Sequence, residues 1–225
     1  MEYFPINLNL KNKKCVIVGG GEVALRKVNI LLNAGAKVVV ISPQVVPELK
    51  ALADKGKIGY ILREYKKGDL DGATIVIATT NHKEVNEKIV KESREKGIWI
   101  NVADDPELCD FILPAIVCRD SLLIAISTSG KSPSLAKKIR EELEEQFGDE
   151  YAIFLDLMEK LREKRLKEKK GLKENRQWFT NLVNSPILDM IKRGEMEKVN
   201  IFLKENLGDK YSLENIGFSF NKRIK

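Results

Sequence analysis

Two short stretches of this chain have the residue types and spacing of reaction chemistry. Residues 16–24 read Val-Ile-Val-Gly-Gly-Gly-Glu-Val-Ala, so Gly19, Gly21 and Ala24 fill a GxGxxA pattern. Glycine at the first position permits a tight turn, and at the second it lets the backbone approach a pyrophosphate. A small third residue lets the following helix pack close to a sheet, and that helix's N-terminus favours the anion. The chemistry indicated is dinucleotide binding; the alternative is a glycine-rich turn in an empty doubly wound domain. The second stretch is Asn101-Val102-Ala103-Asp104-Asp105-Pro106. A carboxylate there can take up the proton released when a carbon centre gives up a hydride, while the competing reading is a turn cap before Pro106. The dinucleotide fingerprint has one gap. An acidic residue is expected about 20 residues on, at the end of the second strand, and that position falls among Ile41, Ser42, Pro43 and Gln44. With no carboxylate and no cation for a 2′-phosphate, the Ser42 hydroxyl and the backbone of Pro43 and Gln44 are left to hold the adenosine half. These residues do not decide between NAD and NADP.

The elements that must position these groups are legible as short β-branched runs alternating with helical patterns, the signature of a mostly parallel sheet covered on both faces. Strands are expected at 15–18, 38–41, 58–62, 74–78 and 98–102. Helices are expected at 23–33, 47–55 and 83–96, each stopped by a glycine, Gly35, Gly56 and Gly97. After Asp104 the pattern changes. The apolar runs 111–118 and 122–127 flank Arg119-Asp120-Ser121 and read as an antiparallel hairpin. Ser132 is the expected N-cap, with Pro133 at the first position of a helix through 135–147. Helices are then expected at 151–170, 174–184, 186–192 and 196–205, with a frayed tail over 215–225.

Composition narrows the classes further. The 225 residues carry 39 Lys and Arg against 33 Asp and Glu, a formal charge of +6, with 43% hydrophobic and 32% charged residues. That is a globular composition, which excludes disorder as the main state. The three cysteines, Cys15, Cys109 and Cys118, show no CxxC spacing, so neither a disulfide framework nor a zinc knuckle is expected, and a reducing cytoplasm is the expected compartment. No basic and apolar leader opens the chain and no stretch reaches the ~20 apolar residues of a membrane span, so the mature protein is expected to start near Met1.

Five ordered motifs carry a resemblance. Gly19-Gly20-Gly21-Glu22-Val23-Ala24 with Arg26-Lys27, Ala78-Thr79-Thr80-Asn81, Asn101-Val102-Ala103-Asp104, Phe111-Ile112-Leu113-Pro114 and Ser127-Thr128-Ser129-Gly130-Lys131-Ser132-Pro133 resemble the precorrin-2 dehydrogenase and sirohydrochlorin ferrochelatase family of sirohaem synthesis. The likeness is strong over residues 2–150 and only in outline beyond. It implies a Rossmann-like α/β domain over 1–113 that binds NAD, a β-hairpin dimerisation segment over 114–147, and a small all-α domain over 148–225. It implies NAD-dependent oxidation of precorrin-2 to sirohydrochlorin, followed in some members by insertion of ferrous iron, the iron being a substrate. By the same resemblance Asp104, rather than Asp105, is the catalytic residue of both steps. The cofactor contacts fall on Glu22, Val23, Pro43 and Gln44, to which the strand-end Thr79 is added. Partners are the tetrapyrrole and a second copy of the chain, with no nucleic acid and no membrane. The methyltransferase domain of some members has no counterpart before Lys225. Where many members have glycine at position 129 this chain has serine, which puts a glycine-only backbone there in doubt, and Thr128 stands where some members carry a modifiable serine.

Other candidates have plainer readings. His82 could touch substrate or metal, but a single histidine more often sits at a helix terminus or surface. Cys109 and Cys118 are expected to be buried among apolar neighbours rather than near iron. Trp178, Phe179 and Leu182 read as helical core, and Glu141, Glu142, Glu144 and Glu145 as a solvated face, so no metal site is expected. From 157 to 176 nine Lys or Arg stand against four Glu. A solvated helix is the default reading of that stretch, and attraction of a polycarboxylate tetrapyrrole is the functional one. The rival to an enzyme is a dinucleotide-sensing module with this basic helical appendage.

Overall fold

The computed structural model describes residues 3–168 and 171–219. The chain divides into two compact units, Met1–Leu113 and Pro114–Lys225. In the first unit the apolar runs form β1 (Lys14–Val18), β2 (Lys37–Ile41), β3 (Gly59–Ile61), β4 (Ile75–Ala78) and β5 (Trp99–Val102). They make one parallel sheet in the order β3-β2-β1-β4-β5. Its direction of winding reverses between β1 and β4, the topological switch point at whose carboxyl ends open α/β sheets bind ligands.

Alternate residues of each strand feed opposite cores. Cys15, Ile17, Val38, Val40, Ile75 and Ile77 face α1 (Glu22–Asn33) and α2 (Pro47–Asp54). Val16, Val18, Val76, Ala78, Ile100 and Val102 face α3 (Lys83–Lys96). Burial pushes the Cys15 thiol up to about 11, so it is inert packing. The last strand before the switch, β3, is three residues long rather than the expected 58–62. The segment after it has no strand pairing but covers the second face with Tyr65 and Leu70.

In the second unit β6 (Ala115–Arg119) and β7 (Leu122–Ile126) form the antiparallel hairpin. Its first strand starts at Ala115 and not at 111. The side chains of Phe111 and Leu113 pack on the first unit's core, and Asn101 Nδ2 donates to the Phe111 carbonyl at 2.9 Å, so that stretch belongs to the sheet edge. Cys118 is exposed, against expectation, because the pleat turns it away from buried Val117. Ser129 takes φ +51 without being glycine, a left-handed conformation costing about 1–2 kcal/mol. The Ser127 hydroxyl accepts its N–H at 3.1 Å and Thr128 Oγ1 accepts the Ser132 N–H at 3.2 Å.

Ser132 caps α4 (Pro133–Gln146), accepting from the Leu135 N–H. Helices α5 (Glu150–Leu166), α6 (Leu172–Val183), α7 (Ile187–Lys192) and α8 (Met196–Leu207) then enclose a separate core of Leu157, Leu161, Leu182, Ile191 and Val199. Helix α5 ends at Leu166, short of the expected 170; residues 169–170 lie outside the described ones. Ile216 and Phe218 pack on this core, so the part of the expected frayed tail that is described is docked; residues 220–225 lie outside. Among the described residues no helix is long and apolar enough to cross a membrane.

Candidate functional site

The glycine turn joins β1 to α1 at the carboxyl edge of the sheet, and its three glycines have different neighbours. Gly19 is at φ +124, and a Cβ there would collide with the hydroxyl and carbonyl oxygens of Thr79. A Cβ on Gly20 would run into the Gln44 carbonyl, with Ser42 Oγ and Val45 Cγ1 2.8 Å away. Around Gly21 nothing lies within 4 Å. Gly19 and Gly20 are therefore demanded by packing against β4 and the chain leaving β2, and only Gly21 faces open space. Gly21 is the N-cap of α1 without a side-chain cap. The N–H groups of Glu22 and Val23 are among those that a first helical turn leaves without intrahelical acceptors.

That open space is a cavity of about 810 Å³ lined by Gly19–Val23, Ser42, Pro43, Thr79 and the start of α3. Its size suits a cofactor site. A cradle with a backbone free to approach at Gly21, first-turn N–H groups exposed and no Cβ in the way fits a dinucleotide pyrophosphate. Of the residues read from the sequence, Gly19, Gly21, Glu22, Val23, Ser42, Pro43 and Thr79 line it. Ala24 is fully buried in the core beneath, where its small size sets the helix on the sheet. Gln44 is not at the wall; its carbonyl backs Gly20 and accepts the Ser42 hydroxyl at 2.5 Å, so the Ser42 proton is spent inside the turn. Thr79 Oγ1 donates to the Val18 carbonyl at 3.1 Å. His82 is exposed, lines the cavity and precedes α3 as its N-cap residue.

Tyr65 also lines the cavity, and no spacing in the sequence marks it. Its hydroxyl donates to buried Glu92, which further accepts from the Gly68 N–H at 3.0 Å and pairs with Lys96 at 3.0 Å. Burial pulls the Glu92 carboxyl up, but the hydrogen bonds from Tyr65, Lys96 and Gly68 outweigh it and hold the group below its usual range. Burial and the Glu92 bond push the Tyr65 phenol far up, so it stays a donor.

Asp104 lies on the turn after β5, exposed and at φ +64. The turn is tied down on both sides. The Ala103 N–H donates to the Ala78 carbonyl at 2.8 Å, which sets Asp104 beside the end of β4. The Cys109 sulfur accepts the Val102 N–H at 3.1 Å, and its thiol proton is shared between the carbonyls of Val102 at 3.3 Å and Asp105 at 3.2 Å. Burial raises the Cys109 pKa, keeping it a thiol able to donate. Asp110 closes the loop, accepting the Ile100 N–H at 2.9 Å. Cys109, read from sequence as ordinary packing, is thus a clamp on the turn that carries Asp104; a cysteine five residues after an aspartate gives no local signal of this. Lys27 on α1 lies in the field of Asp104. Burial first and Arg26 second lower its pKa, and the Asp104 charge opposes them.

In the helical unit, Trp178 packs on the core, with Phe179 edge-on at 5.0 Å and Tyr211 at 5.4 Å. Glu141 and Glu144 pair with Arg140, and Glu142 lies 3.8 Å from Lys138, as on a solvated helix face. The basic stretch 157–176 is not one solvated helix. Arg165 is 7% exposed, bonded to Asn175, Glu168 and Glu174 at 3.0 Å each, and stacked 5.2 Å above the Trp178 ring. Among the described residues no group of three or more His, Cys, Asp or Glu could hold a metal ion.

A five-stranded parallel sheet with a glycine cradle and cavity at its switch point defines a nucleotide-binding Rossmann-like domain. Residues 6–115 match the family model described as putative NAD(P)-binding, and residues 119–146 match the one described as sirohaem biosynthesis protein central. Together these two models cover more than half of the chain, and the description of the second is the one that names sirohaem biosynthesis. Siroheme synthase 1 of Aeromonas salmonicida is 38% identical over 201 residues, 89% of this chain and 43% of that protein. Siroheme synthase of Methylobacillus flagellatus is 44% identical over 144 residues, 64% of this chain and 31% of that one. The chain thus spans less than half the length of these relatives. A solved structure of SirC, a precorrin-2 dehydrogenase, superposes with a TM-score of 0.72 at 25% identity, covering 88% of this chain and 98% of that one.

Proposed function

We propose that this chain oxidises precorrin-2 to sirohydrochlorin in sirohaem synthesis, with NAD as hydride acceptor and Asp104 as proton acceptor. The observation that carries the reading is a solvent-facing carboxylate, held at left-handed φ by a bonded turn, at the same sheet edge as the dinucleotide cradle. When bound, the nicotinamide supplies the two-electron acceptor. The protein supplies the rest. Gly21 and the N–H groups of Glu22 and Val23 hold the pyrophosphate, and Ser42 and Pro43 border the adenosine half. Gln44 braces the cradle from behind. Asp104 takes the proton that leaves the substrate carbon, with Lys27 of α1 within reach of its field.

Ferrous iron in this reading is a substrate of a second step on the same carboxylate, which would collect the pyrrole N–H protons while the macrocycle supplies four nitrogens. The 114–147 segment is read as the dimer contact of two copies, supported by Leu123 and Leu135, which are about half exposed. The three unpaired cysteines suit a reducing cytoplasm. Asp104→Asn tests the assignment. Oxidation of precorrin-2, followed anaerobically by sirohydrochlorin absorbance, should fall by about 100-fold or more, while NAD binding by calorimetry is retained. Full turnover in the variant would sink the role of Asp104. A wild-type chain that binds NAD but oxidises nothing would favour the dinucleotide-sensing alternative.

A further inference from the structure

We propose that Glu64 supplies the carboxylate missing from the end of β2 and thereby selects NAD over NADP, an inference that rests on the dinucleotide reading of the cavity. In the usual fingerprint the acidic residue at the end of the second strand accepts from the adenosine ribose hydroxyl, and a cation there receives a 2′-phosphate. Here β2 ends in Ile41-Ser42-Pro43 and offers neither. Its parallel neighbour does. Strand β3 pairs with β2 in the register Val39↔Gly59, Val40↔Tyr60 and Ile41↔Ile61, and the Ser42 N–H donates to the Ile61 carbonyl at 3.2 Å. The chain leaving β3 therefore emerges beside the chain leaving β2, and Glu64 lines the cavity together with Ser42 and Pro43.

The charges at this end favour a hydroxyl and disfavour a phosphate. No described hydrogen bond or ion pair engages the Glu64 carboxylate, which is exposed and free to accept. Its neighbour Arg63, the one guanidinium in this stretch, is spent. Its two terminal nitrogens each bond Asp69 at 2.7 Å, and one also bonds the Glu64 carbonyl at 2.9 Å. Among the described lining residues the one Lys or Arg is Lys83, which opens α3 after β4, two places from β2 in the sheet order. A 2′-phosphate at the β2–β3 end would face the Glu64 carboxylate, with no Lys or Arg among the described lining residues at that end.

Isothermal calorimetry of the full chain without tetrapyrrole, titrated with NAD and with NADP, tests this. Wild type should bind NAD about tenfold or more tighter than NADP. Glu64→Gln should narrow that ratio by about threefold or more. Glu64→Arg should narrow it further by tightening NADP, since a guanidinium is a good phosphate partner. A wild-type ratio below tenfold, or a ratio that fails to narrow threefold in either variant, overturns the role of Glu64 while leaving the cofactor site intact. Binding of neither dinucleotide by wild type overturns the cofactor reading itself. Glu64 is exposed, so melting temperatures within about 2 °C of wild type are expected and show that each variant is folded.

Discussion

The neighbouring glycines of the cradle make opposite demands, and alanine at each separates structure from binding. A methyl on Gly20 would be driven into the Gln44 carbonyl, with Ser42 Oγ and Val45 Cγ1 only 2.8 Å away. Overpacking of this kind costs about 1–3 kcal/mol. Relief by moving the loop breaks the Val46 N–H to Gly20 carbonyl bond of 2.8 Å, worth about 1 kcal/mol. Gly20→Ala should therefore destabilise the first unit by about 2–4 kcal/mol, or roughly 8–16 °C in Tm at about 4 °C per kcal/mol. A methyl on Gly21 meets nothing, and its φ of −88° is open to alanine. The loss there is that of a favourable N-cap residue, about 0.5–1 kcal/mol, or about 2–4 °C. On the proposed cofactor reading the same methyl stands where the pyrophosphate would approach, so the Kd for NAD should rise about tenfold or more, equivalent to about 1.4 kcal/mol. Thermal unfolding by circular dichroism and calorimetric titration with NAD measure the two effects. The reasoning fails if Gly21→Ala melts as early as Gly20→Ala, or if it binds NAD as wild type does.

Substitutions at two further positions test buried charges. Replacing Glu92 by Leu strands the Tyr65 hydroxyl and the Gly68 N–H and frees Lys96, and should cost about 2–3 kcal/mol at pH 7 by denaturant titration. Because the folded Glu92 carboxyl titrates below its unfolded value of about 4.3, its contribution is complete above that pH and fades as pH falls through the lower folded value. The gap between wild type and Glu92→Gln should accordingly shrink below pH 4 or so, and a constant gap down to pH 3 would refute the assignment. Arg165→Met should destabilise the helical unit by about 1–3 kcal/mol, because a 7% exposed guanidinium loses its hydrogen bonds to Asn175, Glu168 and Glu174, while Glu168 keeps Lys210 and Glu174 stays solvated. Lys164→Gln with Lys167→Gln should leave stability within about 0.5 kcal/mol and serve as the fair test of substrate attraction, read in the salt dependence of kcat/KM.

What the sequence determined by itself was local. Short β-branched runs stopped by glycines declared a parallel sheet, because burial on both faces requires nearly continuous apolar strands. GxGxxA between a strand and a helix declared the cradle, because turn geometry and close packing restrict those three positions to small residues. The hairpin and the Ser132 cap were legible for the same reason, since a turn or a cap is chosen by a few adjacent residues. Tertiary structure decided everything that depends on which strand lies beside which. Only the order β3-β2-β1-β4-β5 brings Glu64 and Tyr65 to the wall that Ser42 and Pro43 begin. Only the folded turn turns Cys109 from packing into the clamp of Asp104, and only helix packing buries Arg165 out of a stretch that reads as a solvated basic face. Periodicity records how each residue faces its own element, whereas a site is assembled from residues distant along the chain, whose pairings no local pattern encodes.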